Sequence, residues 1–301
     1  MDTPIATPDD ENLPETSFAD RHGVGPIGPG NESADPDSAH GDRNSQRGMW
    51  AIRWVESTGS TNADLMEAAL RQGPHGLVLV ADHQTAGRGR LDRTWEAPHG
   101  VNLLMSILIR TVPTSPHHLT QAVAIAAAEA CEGVAAERGR SIRVDLKWPN
   151  DVLIDGRKVA GILASAGSFP GGPAGGVGPD FVVVGLGLNI GWAPDGAISL
   201  ARAMAGGTGS ALTGSDIRDL RDEVLLAVLD RLEELLASEI EIPARYRRRL
   251  ATLGRDVRIE LPGGGVLEGR VVGIETDGRL VVLDACAITH RFDVGDIVHL
   301  R

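Results

Sequence analysis

By its pattern, the stretch Val144-Asp145-Leu146-Lys147-Trp148-Pro149-Asn150-Asp151-Val152-Leu153-Ile154-Asp155-Gly156-Arg157-Lys158-Val159-Ala160-Gly161-Ile162-Leu163-Ala164 forms three short strands joined by two tight turns. The apolar runs Val144–Leu146 and Val152–Ile154 flank the first turn, and Asp155-Gly156 makes a hairpin into Val159–Ala164. Pro149 restricts Trp148 to extended backbone and fixes the first turn. Lys147 is thereby held at a strand end, from which a rigid element can aim an ammonium into a pocket. Asn150 and Asp151 offer oxygens for closing the turn, for a hydrated Mg2+, or for an Asx-turn alone.

Upstream, Ala51–Val55 has strand character. Ser60, Thr61 and Asn62 then precede a short helix, Ala63–Arg71, entered through a polar cap. Leu77–Ala81 is an apolar run of strand length, followed by a polar loop, Asp82–Gly100, that carries Gly87-Arg88-Gly89-Arg90. Val101–Ile109 is a strand and Leu119–Arg138 an alanine-rich helix that buries Cys131.

Downstream, a glycine-rich loop over 167–180 leads to the buried strand Phe181–Val184 and to Gly185-Leu186-Gly187-Leu188-Asn189. Ile217, Leu220, Val224, Val228, Leu232 and Leu235 mark one face of a long amphipathic helix, and an arginine-rich helix follows to about Leu250. After Gly254 come five short strands punctuated by Pro262-Gly263-Gly264-Gly265, Asp277-Gly278 and Asp293–Gly295, the texture of a small β-barrel. The whole predicts an α+β domain on a mixed sheet over 49–253 and a barrel over 254–301.

Composition narrows the function classes. The 301 residues carry a net charge of −12, which disfavours a general nucleic-acid binder. Residues 1–48 hold ten acids and three arginines, a net of −7, with no hydrophobic periodicity, and read as a disordered acidic tail. The apolar runs are strand-sized and interrupted, so no membrane-spanning helix is expected, and the opening residues lack a secretion leader. Cys131 and Cys286 fit no metal spacing or disulfide framework and are expected as buried, reduced thiols in a cytoplasmic protein. Of the 29 basic residues only Lys147 and Lys158 are lysine, leaving 29 − 2 = 27 arginines. A site that needs a compact ammonium rather than a planar fork cannot exchange the two types.

Two arginines between glycines can fold backbone and guanidinium groups around an anion, ordering as they do so; the same composition also suits a solvated or RNA-touching loop. The glycines of Gly185–Asn189 permit a ligand to approach the backbone, or a strand to pack tightly on a helix, but they are not a dinucleotide fingerprint. No G-x-S-x-G is present, the nine histidines form no paired arrangement, and His117 and His118, at a helix start, are expected to be solvated.

In their order these motifs resemble those of the biotin protein ligases. The resemblance rests on Ser57-Thr58-Gly59-Ser60-Thr61-Asn62, Gln84–Arg90, Trp95, Asn102-Leu103, Lys147–Asp151, Gly156–Leu163 and Gly185–Asn189, and it spans roughly residues 50–300. It implies a catalytic domain of the class II aminoacyl-tRNA synthetase fold followed by an SH3-like barrel. The implied activity uses biotin, ATP and Mg2+ to make biotinyl-5′-AMP, then moves the acyl group to one lysine of a biotin carboxyl carrier domain.

Carried over by position, Ser60, Thr61 and Asn62 hold the biotin ureido ring, with Gln84 assisting. Arg88, Gly89 and Arg90 close over the adenylate. Lys147 sits between the biotin carboxylate and the α-phosphate, while Asn150 and Asn189 contact the adenylate. Lys158 supports the same wall. Residues 1–48 are too short and too polar for a winged helix-turn-helix, so no DNA binding is expected. Neither is a membrane partner, and a monomer and a dimer are equally compatible. The rivals are a lipoate or octanoate ligase, whose R-R-x-x-G-G-G loop is missing here, a non-catalytic biotin- or adenylate-sensing module, and an RNA-binding protein.

Overall fold

The computed structural model describes residues 43–91, 93–113, 115, 117–169, 178–206, 212–261, 264–293 and 295–300. In chain order its elements are β1 (Ser45–Arg47), β2 (Trp50–Thr58), α1 (Thr61–Leu70), β3 (Leu77–Gln84), β4 (Leu103–Ile109) and α2 (His117–Glu137). The predicted three-strand stretch follows as β5 (Val144–Lys147), β6 (Asp151–Ile154) and β7 (Arg157–Gly167). Then come β8 (Phe181–Leu188), α3 (Leu200–Ala205), α4 (Gly214–Ala237) and α5 (Ile242–Arg249). The barrel strands are β9 (Asp256–Glu260), β10 (Val266–Ile274), β11 (Leu280–Asp284), β12 (Thr289–Phe292) and β13 (Asp296–His299). The tail reading over 1–42 and the core of the glycine-rich loop, 170–177, lie outside the described residues.

β1 to β8 form one sheet in the order β1-β2-β3-β4-β8-β7-β6-β5. Only β2 and β3 run parallel, joined through α1; every other pair is antiparallel, so the sheet is mixed as expected. Every residue of β4 is buried, because both faces of the central strands are covered. Leu103, Met105, Ile107 and Ile109 join a core that includes residues of α2 and α4, whereas Ser106 turns to the face where Thr61 of α1 lies.

α2 is packed through thirteen buried residues, seven of them alanine, which let it approach the sheet and α4 closely. Its length and apolarity match those of a membrane span, correcting the expectation that no such segment exists, but most of it is buried inside the fold. Burial pushes the Cys131 thiol up to about 12, so that thiol is inert. Cys286, by contrast, is exposed. α4 starts with a capping box: Thr213 Oγ1 accepts from the Asp216 amide at 3.3 Å, and Asp216 Oδ2 accepts from the Thr213 amide at 2.8 Å.

The tail reading overshoots at its C-terminal end. Residues 45–47 pair with β2 as an edge strand, Arg43 stacks 3.5 Å from the Trp54 ring centroid and donates through Nη2 to both oxygens of Asp222, and Arg47 grips Asp230 bidentately, both carboxylates being on α4. The anchors are ionic and need no hydrophobic periodicity.

β9 to β13 form an antiparallel sheet in the order β12-β11-β10-β9-β13, consistent with the SH3-like barrel. It docks on the first turn of the 144–164 stretch. The Trp148 indole N–H donates to the Gly278 carbonyl at 3.0 Å, and Ser115 Oγ donates to the Asp277 carbonyl at 2.6 Å. His118 is not solvated as expected: its ring nitrogens lie 2.7 Å from the Thr276 carbonyl and 3.1 Å from Glu239.

Candidate active site

A cavity of about 260 Å³ opens on the α1 face of the sheet. Nine of the ten sequence-derived site residues line it: Ser60, Thr61, Asn62, Gln84, Arg88, Gly89, Arg90, Asn150 and Asn189.

One wall is neutral. Ser60 stands at the N-cap of α1 with extended backbone (φ −160°, ψ 125°), yet its hydroxyl makes no capping bond, so the purely structural role open to it is unfilled. The Thr61 amide donates to Gln84 Oε1 at 2.8 Å, Asn62 Nδ2 donates to the Leu163 carbonyl at 3.0 Å, and Ser106 Oγ donates to Asn62 Oδ1 at 2.6 Å. Two glycines that line the cavity also make room for neighbouring side chains. A Cβ on Gly185 would sit 2.4 Å from Asn62 Oδ1, and one on Gly187 would sit 2.4 Å from the Trp95 indole.

A second part of the lining, the other wall, is ionic. The loop expected to order only around an anion has its own internal bonds: Arg88 bridges to Thr94, the Gly89 amide donates to the Arg93 carbonyl at 2.7 Å, and Trp95 N donates to Gly87 O at 2.9 Å. Arg90 Nη1 reaches Asn150 Oδ1 at 3.4 Å, the Gly295 carbonyl at 3.3 Å and Asp296 at 3.7 Å. Arg93 also pairs with Asp296, which lines the cavity from the barrel. Burial draws the Arg90 guanidinium below its ordinary value, against the pull of Asp296 and Asp151.

The structure places the two lysines differently. Lys147 ends β5 as expected but is not among the cavity-lining residues; its charge acts instead on His299 of β13. Lys158 lines the cavity, with Nζ 2.6 Å from Asp151 Oδ1 and 5.4 Å from the Trp95 ring centroid. Sequence reasoning singled out both lysines but ranked the strand-end position first. A bulge between Val152 and Leu153, which alters the β6–β7 register where Lys158 sits, has no sequence signal.

Ser106, Arg93 and Asp296 were missed. Ser106 is one hydroxyl in an apolar strand, and Asp296 reaches the site only through the docked barrel. Asn189 is buried and braced by Asn102, whose Oδ1 accepts the Ile190 and Trp192 amides at 3.0 and 3.2 Å. Among the described residues no cluster of three or more His, Cys, Asp or Glu could hold a metal.

Residues 54–170 match the biotin/lipoate A/B protein ligase family, and residues 252–300 match the biotin protein ligase C-terminal domain. The biotin–[acetyl-CoA-carboxylase] ligase of Mycobacterium tuberculosis is 36% identical over 251 residues, covering 82% of this chain and 88% of that protein. The enzyme of that name from Paracoccus denitrificans is 34% identical over 233 residues, covering 75% and 91%. Among solved structures, the biotin protein ligase of Aquifex aeolicus in complex with biotin and ATP superimposes with a TM-score of 0.64 at 27% identity, covering 83% of this chain and 98% of that one.

Proposed function

The chain belongs to the biotin protein ligase family, and we propose that it activates biotin with ATP and passes the acyl group to one lysine of a biotin carboxyl carrier domain. The observation that carries this reading is the division of one cavity into a hydrogen-bonding wall and a cationic wall. A ring urea needs the first; a carboxylate and a phosphate chain need the second.

In the first step a biotin carboxylate oxygen bonds to the α-phosphorus of ATP and the bond to pyrophosphate breaks. In the second, the acceptor amine attacks the acyl carbon, AMP leaves with the bonding electron pair, and the new amide nitrogen loses a proton. Both nucleophiles belong to substrates, so the protein's task is to orient them and to stabilise charge. Lys158, steadied by Asp151, supplies a compact ammonium between the carboxylate and the α-phosphate, the role first given to Lys147. Arg88 and Arg90 hold the phosphates and shield the mixed anhydride from water.

Mg2+ fits as an ion brought by the nucleotide: of the three lining carboxylates, Asp151 and Asp296 are already committed to Lys158 and to Arg90 and Arg93, and with Glu96 they form no cage. When bound, it neutralises phosphate charge. The carrier domain as acceptor, the absence of DNA binding and the domain boundaries at 253/254 belong to the same proposal.

The test is exchange of labelled pyrophosphate into ATP by the purified chain, driven by biotin or by lipoate. Exchange with biotin alone is the expected result. Exchange driven by lipoate would transfer the reading to the lipoate ligases, and binding of biotin without exchange would make the protein a sensor.

A further inference from the structure

Ser106 is fully buried in the middle of β4 and lines the cavity. The groups around it dictate where each hydrogen of the neutral wall goes. The Leu163 carbonyl can only accept, so its 3.0 Å contact fixes the Asn62 amide and turns Oδ1 toward Ser106. Oδ1 cannot donate, so the 2.6 Å bond uses the single hydrogen of Ser106. The 2.7 Å contact between Ser106 Oγ and Thr61 Oγ1 must then draw on the hydrogen of Thr61. At the other end, the Thr61 backbone amide can only donate, which fixes Gln84 with Oε1 toward α1 and Nε2 away from it. The Thr61 hydroxyl also lies 3.0 Å from Oε1, so its hydrogen is shared between two acceptors inside the wall.

Neither hydroxyl keeps a hydrogen for a ligand. Toward the cavity, Thr61 Oγ1 offers lone pairs only, and the Gln84 amide offers N–H groups. A ring urea has the complementary pattern: its N–H groups face an acceptor and its oxygen faces a donor.

We propose that Ser106 is a positioning residue that holds Thr61 Oγ1 as an acceptor and so makes the wall specific for a urea N–H. The proposal rests on the biotin reading and deepens it. Without the Ser106 hydroxyl, Asn62 Oδ1 loses its buried donor and the Thr61 hydrogen keeps only the longer of its two acceptors, Gln84 Oε1 at 3.0 Å, so it can turn to a ligand acceptor. Beside Thr61 the wall then accepts either polarity. A site built to pair every polar group discriminates strongly, and one whose groups can turn does not.

The probe is the cyclic carbamate analogue of biotin, in which a ring oxygen replaces the urea N–H that faces Thr61. Pyrophosphate exchange is measured with both acids for wild type, Ser106→Ala and Ser106→Cys. The thiol of the cysteine variant fills the serine's volume but donates poorly. Wild type prefers biotin. In both variants the KM for biotin rises roughly tenfold, the KM for ATP changes less than about twofold, and the preference for biotin over the carbamate falls by about tenfold.

If both acids weaken equally, Ser106 is only packing, and the proposal fails while the ligase reading stands. If alanine collapses the preference but cysteine preserves it, volume rather than polarity is responsible, and the proposal fails again. Should the alanine variant not fold, the cysteine variant decides alone. Folded wild type that shows no biotin-dependent exchange overturns both.

Discussion

The two walls of the cavity are held in opposite ways. The neutral wall is tied at both ends to backbone groups, the Leu163 carbonyl and the Thr61 amide, which no ligand can displace. The ionic wall is tied by carboxylates, with Asp151 on Lys158 and Asp296 on Arg90 and Arg93. Those counter-ions occupy positions that an incoming phosphate also favours. One wall is preorganised and reads shape and polarity, and the other is exchangeable and reads charge.

The sharpest way to break this contrast is at Gly187. Alanine there places a Cβ against the Trp95 indole, which lines the cavity and has Lys158 Nζ 5.4 Å from its ring centroid. Overpacking of about 1–3 kcal/mol must be relieved by moving the indole into the cavity. Biotin-driven exchange is expected to fall by about 100-fold, with a melting temperature lowered by only a few degrees. Activity near wild type would mean that Trp95 has room to spare.

A milder change separates the walls functionally. Asp296→Asn removes the carboxylate that orients Arg93 and Arg90, leaving Arg90 its bond to the Gly295 carbonyl. The pairs are partly exposed, so the loss is about 1 kcal/mol, and the KM for ATP is expected to rise about fivefold with the KM for biotin unchanged. A matching rise for biotin would show that the two walls move together. Salt acts in the same direction: raising ionic strength to about 0.5 M should raise the KM for ATP several-fold and leave biotin nearly unaffected.

The smallest effect lies in the histidines. His75 and His299 are held below the ordinary histidine value, chiefly by burial, then by Arg110 for His75 and by Lys147 and Arg255 for His299. Each binds a proton more readily unfolded than folded. Their contribution is therefore present above pH of about 6.5 and declines as pH falls from there through the lower folded values. The melting temperature of His299→Gln should depend less on pH over this window than that of wild type; an unchanged dependence would remove His299 from the account.

Much of the fold was legible because periodicity reports burial. Leu220, Val224, Val228, Leu232 and Leu235 gave α4, and the turn residues after Gly254 gave the five barrel strands. What stayed hidden depends on partners distant in sequence. β1 is anchored by Arg43 and Arg47 on a helix some 180 residues away, and a polar tripeptide carries no sign of that. In the site, the residues next to diagnostic glycines and caps were readable, whereas Ser106 and Asp296 acquire meaning only through their neighbours. Lys147 and Lys158 stood out equally by composition, but position along a strand does not reveal which one reaches the cavity.

That choice between lysines is the most direct test of the account. Biotin-dependent pyrophosphate exchange is measured for Lys158→Arg and Lys147→Arg, both folded. Loss of about 100-fold or more in the first, with the second within about threefold of wild type, is the predicted result. Loss confined to Lys147→Arg would place the catalytic ammonium on β5 and contradict the site described here.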